Sequence, residues 1–450
     1  MKRLFHSALA LALFLTPQLS ADIYRWDNQL LIPGTEGLTA EPGAVLSGLD
    51  LQYADLALAT ITDVDFASSN LAHAKLGGSL SGTKFNDATI DNIEIGVATT
   101  GLLLSLDQLY STRSYQLRQL SGINLHQSDF FRIEFSSGDF RQQDLSNAML
   151  NYTMFSNADF TQADLSSSKL VGVWGSGANF SSSNLVRAAL DMADFSNADF
   201  SQANLVGASF TESNLSSANF TDAIVNGVDF GGSSLTEQQL ESTASFQNGN
   251  LRGMSFYFAF SLANWNLSGK DLSYSAFGDI LSANLEGAQL VGANLSDAVV
   301  DNANLRGANL GNANLEFTSG LATAQLNGAK YNQLTRLPVD FDAAAAGMVF
   351  ESSPAGDLNA DMVIDSSDID YLGAVLSGRL SARYRPSWIP DTVYDFDNDS
   401  VLTMSDYDAL VHDVLHTSLG DADLNGMFDS GDLVRVFSVG EYEDGIQGNS

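Results

Sequence analysis

Apolar side chains recur at every fifth position along most of this chain. From Leu125 to Phe230, 21 of the 22 positions in that register are Leu, Phe or Val; Gly175, beside Trp174, is the exception. The residue two places before each apolar centre is small. From Ala148 to Ala223 those 16 positions hold 11 Ala, 3 Ser, 1 Thr and 1 Val. A five-residue period fits neither a helix, which repeats every 3.6 residues, nor a strand, which alternates every 2. A helix would spread the centres around its axis, and a strand would send them to opposite faces. A chain that turns by about a right angle in each unit keeps every centre inside. Four such units close one coil, and successive coils stack at about the 4.8 Å spacing of paired strands. Asn, Asp, Ser and Gly crowd the remaining positions, as a turn in every unit requires.

The same register appears earlier, at Leu46, Leu51, Leu56, Ile61, Phe66, Leu71 and Leu76, and after a one-residue slip at Leu80, Phe85, Ile90 and Ile95. It returns at Leu262, Leu267, Leu272 and Phe277, slips again, and runs from Ile280 to Leu315. Units such as Ala158-Asp159-Phe160 and Ala203-Asn204-Leu205 resemble the pentapeptide-repeat family. That resemblance implies a right-handed quadrilateral β-helix, so a mainly β solenoid is expected.

Two interruptions resemble each other, Ser105 to Tyr115 and Thr236 to Phe246. Each opens on Ser or Thr with Gln three residues later, the spacing of a capping box. Each is expected to form a short helix leaving the tube, either capping a sub-stack or bulging from a continuous one. Leu120 and Leu251 then re-enter the coil. The expected organisation is a signal peptide at 1–21, an N-terminal cap and first repeat block at 22–100, and a helical connector at 101–124. A second block at 125–232, a connector at 233–256 and a third block at 257–318 follow. A linker at 319–352 leads to a calcium-binding region at 353–450. The cap around Trp26 to Gly37, the two interruptions and the stretch from Tyr331 to Asp342 resemble a group of secreted bacterial pentapeptide-repeat proteins.

Charge changes the picture at the C-terminus. The chain has 450 residues, no cysteine and a formal net charge of -34, although only 16% of its residues are charged. From Glu351 to Ser450 there are 20 Asp+Glu against 4 Lys+Arg. Such acidity excludes binding to nucleic acid through phosphate neutralisation and suits divalent cations or a basic partner. The absence of cysteine excludes disulfides and thiol chemistry. Lys2 and Arg3, the apolar run Ala8 to Leu15 and the small pair Ser20-Ala21 read as a secretory signal cleaved near Ala21-Asp22. No later run is apolar enough to span a bilayer, so the mature protein is expected outside the cytoplasm, secreted or in the cell envelope.

Three acidic loops carry the candidate chemistry. Loop one offers Asp357, Asn359, Asp361, Val363, Asp365 and Asp368. Loop two offers Asp395, Asp397, Asp399, Val401, Thr403 and Asp406. Loop three offers Asp421, Asp423, Asn425, Met427, Asp429 and Asp432. In each, side-chain oxygens stand at positions 1, 3, 5, 9 and 12, with the position 7 backbone carbonyl as a further ligand. That spacing wraps one chain around Ca2+, which takes six to eight hard oxygens. Asp at position 12, where EF-hands have Glu, resembles the dockerin type I pattern. A dockerin implies a small α-helical calcium-loop region and a cohesin-like protein partner. Helical stretches are expected at Ile369 to Ser377, Tyr407 to Leu415 and Leu433 to Val439. Only loop three has glycine at position 6, Gly426, so it is expected to be the tightest site and loop one the weakest. The dockerin positions that touch cohesin hold Ser366-Ser367, Met404-Ser405 and Ser430-Gly431, and only the first pair has the familiar character. The tail from Val411 to Gly445 resembles calcium-loop tails that continue with a further loop, so a longer C-terminus is expected.

Catalysis needs a converging constellation, and none is legible. His412 and His416 lie four residues apart on an expected helix, without the glutamate of a zinc-hydrolase motif. The expected function is a secreted, non-enzymatic scaffold with calcium loops that mediates extracellular or envelope attachment. A dockerin-bearing accessory of polysaccharide breakdown is the alternative. A nucleic-acid mimic acting on a topoisomerase is disfavoured by the signal sequence, which would place protein and target in different compartments.

Overall fold

The computed structural model describes residues 22–95, 104–124, 135–354, 356–358, 364, 368–369, 372, 393–397 and 401–410. Through the second block the chain returns to the same place on the wall after 20 residues, as where Gln142 Nε2 donates to Gln162 Oε1. Parallel bridges follow that interval, joining Asp159 to Asn179, Asn179 to Asp199 and Asp199 to Asn219. Each unit supplies backbone rungs in both directions along the stack. Phe180 N–H donates to Asp199 O at 2.6 Å, and Asp199 N–H donates to Ala178 O at 2.9 Å. Corners are closed by a local bond such as Ala198 N–H to Phe195 O, 3.0 Å, with Asn197 at φ +59°. Positive φ at the second central residue is the type II turn pattern. Many corners hold residues other than glycine, Gln202 and Met192 among them. Each costs about 1–2 kcal/mol of left-handed strain, offset by the rungs on either side.

The apolar centres and the small residues before them face one interior. Counting by 20 resolves that interior into four columns. One holds Phe140, Phe160, Phe180, Phe200 and Phe220, stacked with centroids 4.8–5.2 Å apart and planes within 12°. Another contains Gly175, where an added Cβ would stand 2.7 Å from the Phe195 ring. The ring one coil further on therefore fills the space that residue 175 leaves, which explains the single gap in the five-residue register. Outside, where Asp or Asn precedes a centre it ties the corner through an Asx bond, as in Ser201 N–H to Asp199 Oδ1 at 2.9 Å. It also receives its neighbour in the next coil, Asn219 Nδ2 donating to Asp199 Oδ1 at 3.0 Å. Along Asp159, Asn179, Asp199 and Asn219 an acid and an amide alternate and avoid like-charge stacking, whereas Asp139 stacks on Asp159 with Arg141 against both.

The register slips are shortened walls. Lys75–Leu76 (β2) pairs in parallel with both Asp55–Leu56 (β1) and Glu94–Ile95 (β3). The missing residue falls beside Gly77, where a Cβ would lie 1.8 Å from Ala57 O. We expect Gly77→Ala to lose at least the 1–3 kcal/mol of an overpacked core (about that range), read as a lower urea midpoint; an unchanged midpoint would mean that these coils separate freely. At the second slip, Ser255–Ser261 (β4) pairs with Ala276–Asp279 (β5) through a register shift between Phe256 and Ser261.

The two interruptions do not leave the tube, contrary to the expectation. Leu106–Ser111 (α1) and Arg113–Gln116 (α2) form the first, Glu237–Glu241 (α3) and Ala244–Gln247 (α4) the second. Both capping boxes are present, Ser105 with Gln108 and Thr236 with Gln239. The same glutamines also hold the helices against the wall. Gln108 Nε2 donates to Leu80 O and Thr83 O, and Gln239 Nε2 donates to Leu215 O and Ala218 O. Leu109 and Leu240 are buried in the tube's core. Ladders continue across both interruptions, from Glu94 to Asn124 and from Asp229 to Ser255. The blocks therefore form one continuous stack. Residues 319–352, expected to be a linker, belong to it too. Ser319, Gln325, Lys330 and Arg336 bridge to the coil below, and Lys330–Tyr331 (β6) pairs with Val349–Phe350 (β7). No helix among the described residues is long and apolar enough to cross a membrane. The expected signal segment, 1–21, lies outside them.

Candidate metal centre

A calcium loop must bring carboxylates separated in sequence around one point. Loop two does so for positions 1, 3 and 12. Asp395, Asp397 and Asp406 each offer a carboxylate oxygen, all within 4.8 Å of one another. Oxygens that share one calcium ion at about 2.3–2.6 Å lie no more than about 5 Å apart, so the spacing fits a common cation. Carboxylates this close repel one another. A divalent ion converts that repulsion into attraction.

Local sequence explains how Asp406 reaches this point. Thr403 is the N-cap of Met404–Ala409 (α5), and Asp406 closes a capping box with it. Asp406 is fully buried; its Oδ1 accepts from Phe396 N–H at 2.9 Å and its Oδ2 from Thr403 N–H at 2.7 Å. One side chain thus joins the entry of the loop to its exit. Thr403, expected as the position 9 ligand, has its hydroxyl accepting from Ser405 N–H at 3.1 Å as a helix cap. Val401 is exposed at position 7. Loop one repeats the brace, with Leu358 N–H donating to Asp368 Oδ1 at 2.7 Å and both Asp357 and Asp368 buried. Asn359, Asp361, Val363, Asp365 and Asp399 lie outside the described residues. So do Asp421, Asp423, Asn425, Met427, Asp429 and Asp432 of loop three, and His412 and His416.

The loop region rests on the solenoid through a second, smaller core. Leu358, Leu372, Tyr394 and Leu410 enclose Tyr274, with Leu334, Phe396, Leu402 and Tyr407 around them. Tyr274 belongs to a corner of the third block, at φ +62°, and is only 5% exposed. Burial pushes its phenol well above the ordinary tyrosine value, so it docks as a neutral group. Leu402, at loop position 8, faces this core as such loops require. Sequence reading missed Tyr274. Its signal was an aromatic residue at a corner where most units carry a small polar one, and Tyr53 and Tyr152 share that feature without this role.

The pentapeptide-repeat model ("Pentapeptide repeats") matches eight copies, within residues 43–78, 119–162, 158–197, 193–232 and 282–316. No curated protein matches the chain. Among solved structures, alr5209, a pentapeptide repeat protein from Nostoc PCC 7120, is 34% identical over 24% of this chain and 89% of its own, with a TM-score of 0.22. HetL, a pentapeptide repeat protein involved in heterocyst differentiation regulation from Nostoc sp. strain PCC 7120, is 25% identical over 58% of this chain and 100% of its own, with a TM-score of 0.23. Full-length QnrB1, a plasmid-mediated fluoroquinolone resistance protein, is 18% identical over 56% of this chain and 97% of its own, with a TM-score of 0.16. The superpositions are too poor to add to the ladders, corners and columns of this chain. Those features and the matched segments agree: the chain carries pentapeptide repeats, stacked as a four-sided parallel coil.

Proposed function

We propose that this chain is a non-enzymatic scaffold that works outside the cytoplasm, with calcium-clamped loops at one end for attachment to another protein. The convergence of Asp395, Asp397 and Asp406 carries the reading. The long stack supplies stiffness, since each coil is hydrogen-bonded to the next and shares one core with it. The loop region, seated on Tyr274, supplies a surface whose shape calcium would set. A cohesin-like domain is the partner chemistry that the dockerin resemblance suggests.

Titration calorimetry of the full chain with calcium, with EDTA as the reversal, tests the first step. Saturation to 100 times Kd stabilises a site by about 2.7 kcal/mol, so the unfolding step of the loop region should shift upward in calcium and return in EDTA. Absence of both binding heat and shift would remove calcium from the reading. Recovery of a protein partner from extracellular fractions in calcium, but not in EDTA, tests the attachment.

A further inference from the structure

The two interruptions are the same device built twice, so each serves as a control for the other. At the first, Gln143 Nε2 donates to Tyr115 O at 3.1 Å; at the second, Lys270 Nζ donates to Phe246 O at 2.8 Å. Asp139 N–H donates to Tyr110 Oη at 2.8 Å, and Asn266 N–H to Glu237 Oε1 at 2.6 Å. Leu120 and Leu251 re-enter the wall with equivalent bonds to Asp144 O and Asp271 O. Everything needed to insert a helical turn is therefore present at both.

The first differs in carrying long polar side chains at two corners where the second has glycine, while the second's own extra cations, Arg252 and Lys270, are engaged with Asp271 and with Phe246 O. Arg118 stands at φ +61° where the second interruption has Gly249, and Gln142 at φ +57° where it has Gly269. Glycine is the low-cost residue after a helix end, so nothing in the helix termination asks for Arg118. Arg141 replaces Ser268, and Tyr115 replaces Phe246. Around these residues lies a cavity of about 510 Å³, within the range of small-molecule sites. Its lining side chains carry polar groups along with the Tyr115 ring and aliphatic stems, and Thr161 and Gln162 from the next coil complete the wall.

The groups differ in what they leave available. Arg141 is committed to Asp139, with Nε to Oδ1 at 2.9 Å and Nη2 to Oδ2 at 2.7 Å, and that bond holds the Asp139 carboxyl below its usual range. Arg118 Nη1 donates to Arg141 O, but Arg118 makes no ion pair among the described residues. Its remaining N–H groups suit a planar carboxylate. Gln143 is only 3% exposed, and its Oε1 has no hydrogen-bond partner among the described residues. An orphaned buried acceptor is costly and calls for a donor such as a hydroxyl or a bridging water. Burial, with Asp139 second, pushes the Tyr115 phenol up to about 12, so it stays neutral.

We propose that this cavity binds a small hydroxyl-rich carboxylate, an acidic saccharide, with Arg118 on the carboxylate and the side-chain amides on the hydroxyls. The site is independent of the calcium loops.

The test is calorimetric titration of the full chain with digalacturonate, using cellobiose as the neutral control. We expect digalacturonate to bind about tenfold or more tighter than cellobiose. Arg118→Gly should abolish that preference while leaving the unfolding midpoint unchanged or raised, because it copies Gly249. Gln142→Gly, which copies Gly269, should weaken both sugars at an equally preserved midpoint. Failure of digalacturonate to bind at millimolar concentration, or equal binding by the Arg118→Gly chain, overturns the proposal.

Discussion

Phe180→Ala should be among the most damaging single substitutions in the tube, at about 3–5 kcal/mol. Phe180 is fully buried, 4.8 Å from Phe160 and 5.0 Å from Phe200, with planes within 4° of both. Rungs at both ends of its unit fix the coil spacing. Neighbouring rings therefore cannot close over the void, and both the transfer term and the cavity term persist. In a solenoid each coil touches only its neighbours, so one weakened contact can also divide a cooperative unfolding transition into two. Urea denaturation followed by circular dichroism should show a lower midpoint, a split transition, or both. Phe317, 72% exposed, is the internal comparison; its replacement by Ala should stay within about 0.5 kcal/mol. A loss below about 1 kcal/mol at Phe180 would mean that the aromatic column is not a close-packed core.

Asp406→Ala should have the second large effect, and it should act twice. Without calcium, it leaves Phe396 N–H and Thr403 N–H without their acceptor, at about 1–3 kcal/mol for each group that stays buried. With calcium, it also removes one of three converging carboxylates, and affinity should fall by at least about tenfold. Asp397→Ala separates the two effects, because Asp397 is exposed while belonging to the same group. It should weaken calcium binding with little change in the calcium-free midpoint. If Asp406→Ala lowers the midpoint but leaves calcium affinity intact, the residue is a brace for α5 and no ligand.

The repeat, its inward centres and its small flanking residues were legible because close packing along a single axis imposes one period on the chain. The capping boxes were legible because Ser105 with Gln108 and Thr236 with Gln239 satisfy helix ends within four residues. A 20-residue period in phenylalanine was also present in the sequence and would have revealed the columns. The loop spacing put Asp395, Asp397 and Asp406 in one group, and their carboxylates do lie together, since such a loop is closed by local chain geometry.

What the sequence could not settle depended on partners distant along the chain. Whether Gln108 merely caps a helix or also binds Leu80 O and Thr83 O depends on which coil lies beneath it. The fate of residues 319–352 turned on bridges to Val299, Asn304, Asn309 and Asn314, which no local signal predicts. Tyr274 became the seat of the loop region only because the chain returns to it after the stack is complete. Periodicity and capping are local and repeat in every unit, so sequence alone determined the tube. Docking and cavity formation depend on which units become neighbours across a coil, and only the tertiary structure decided those.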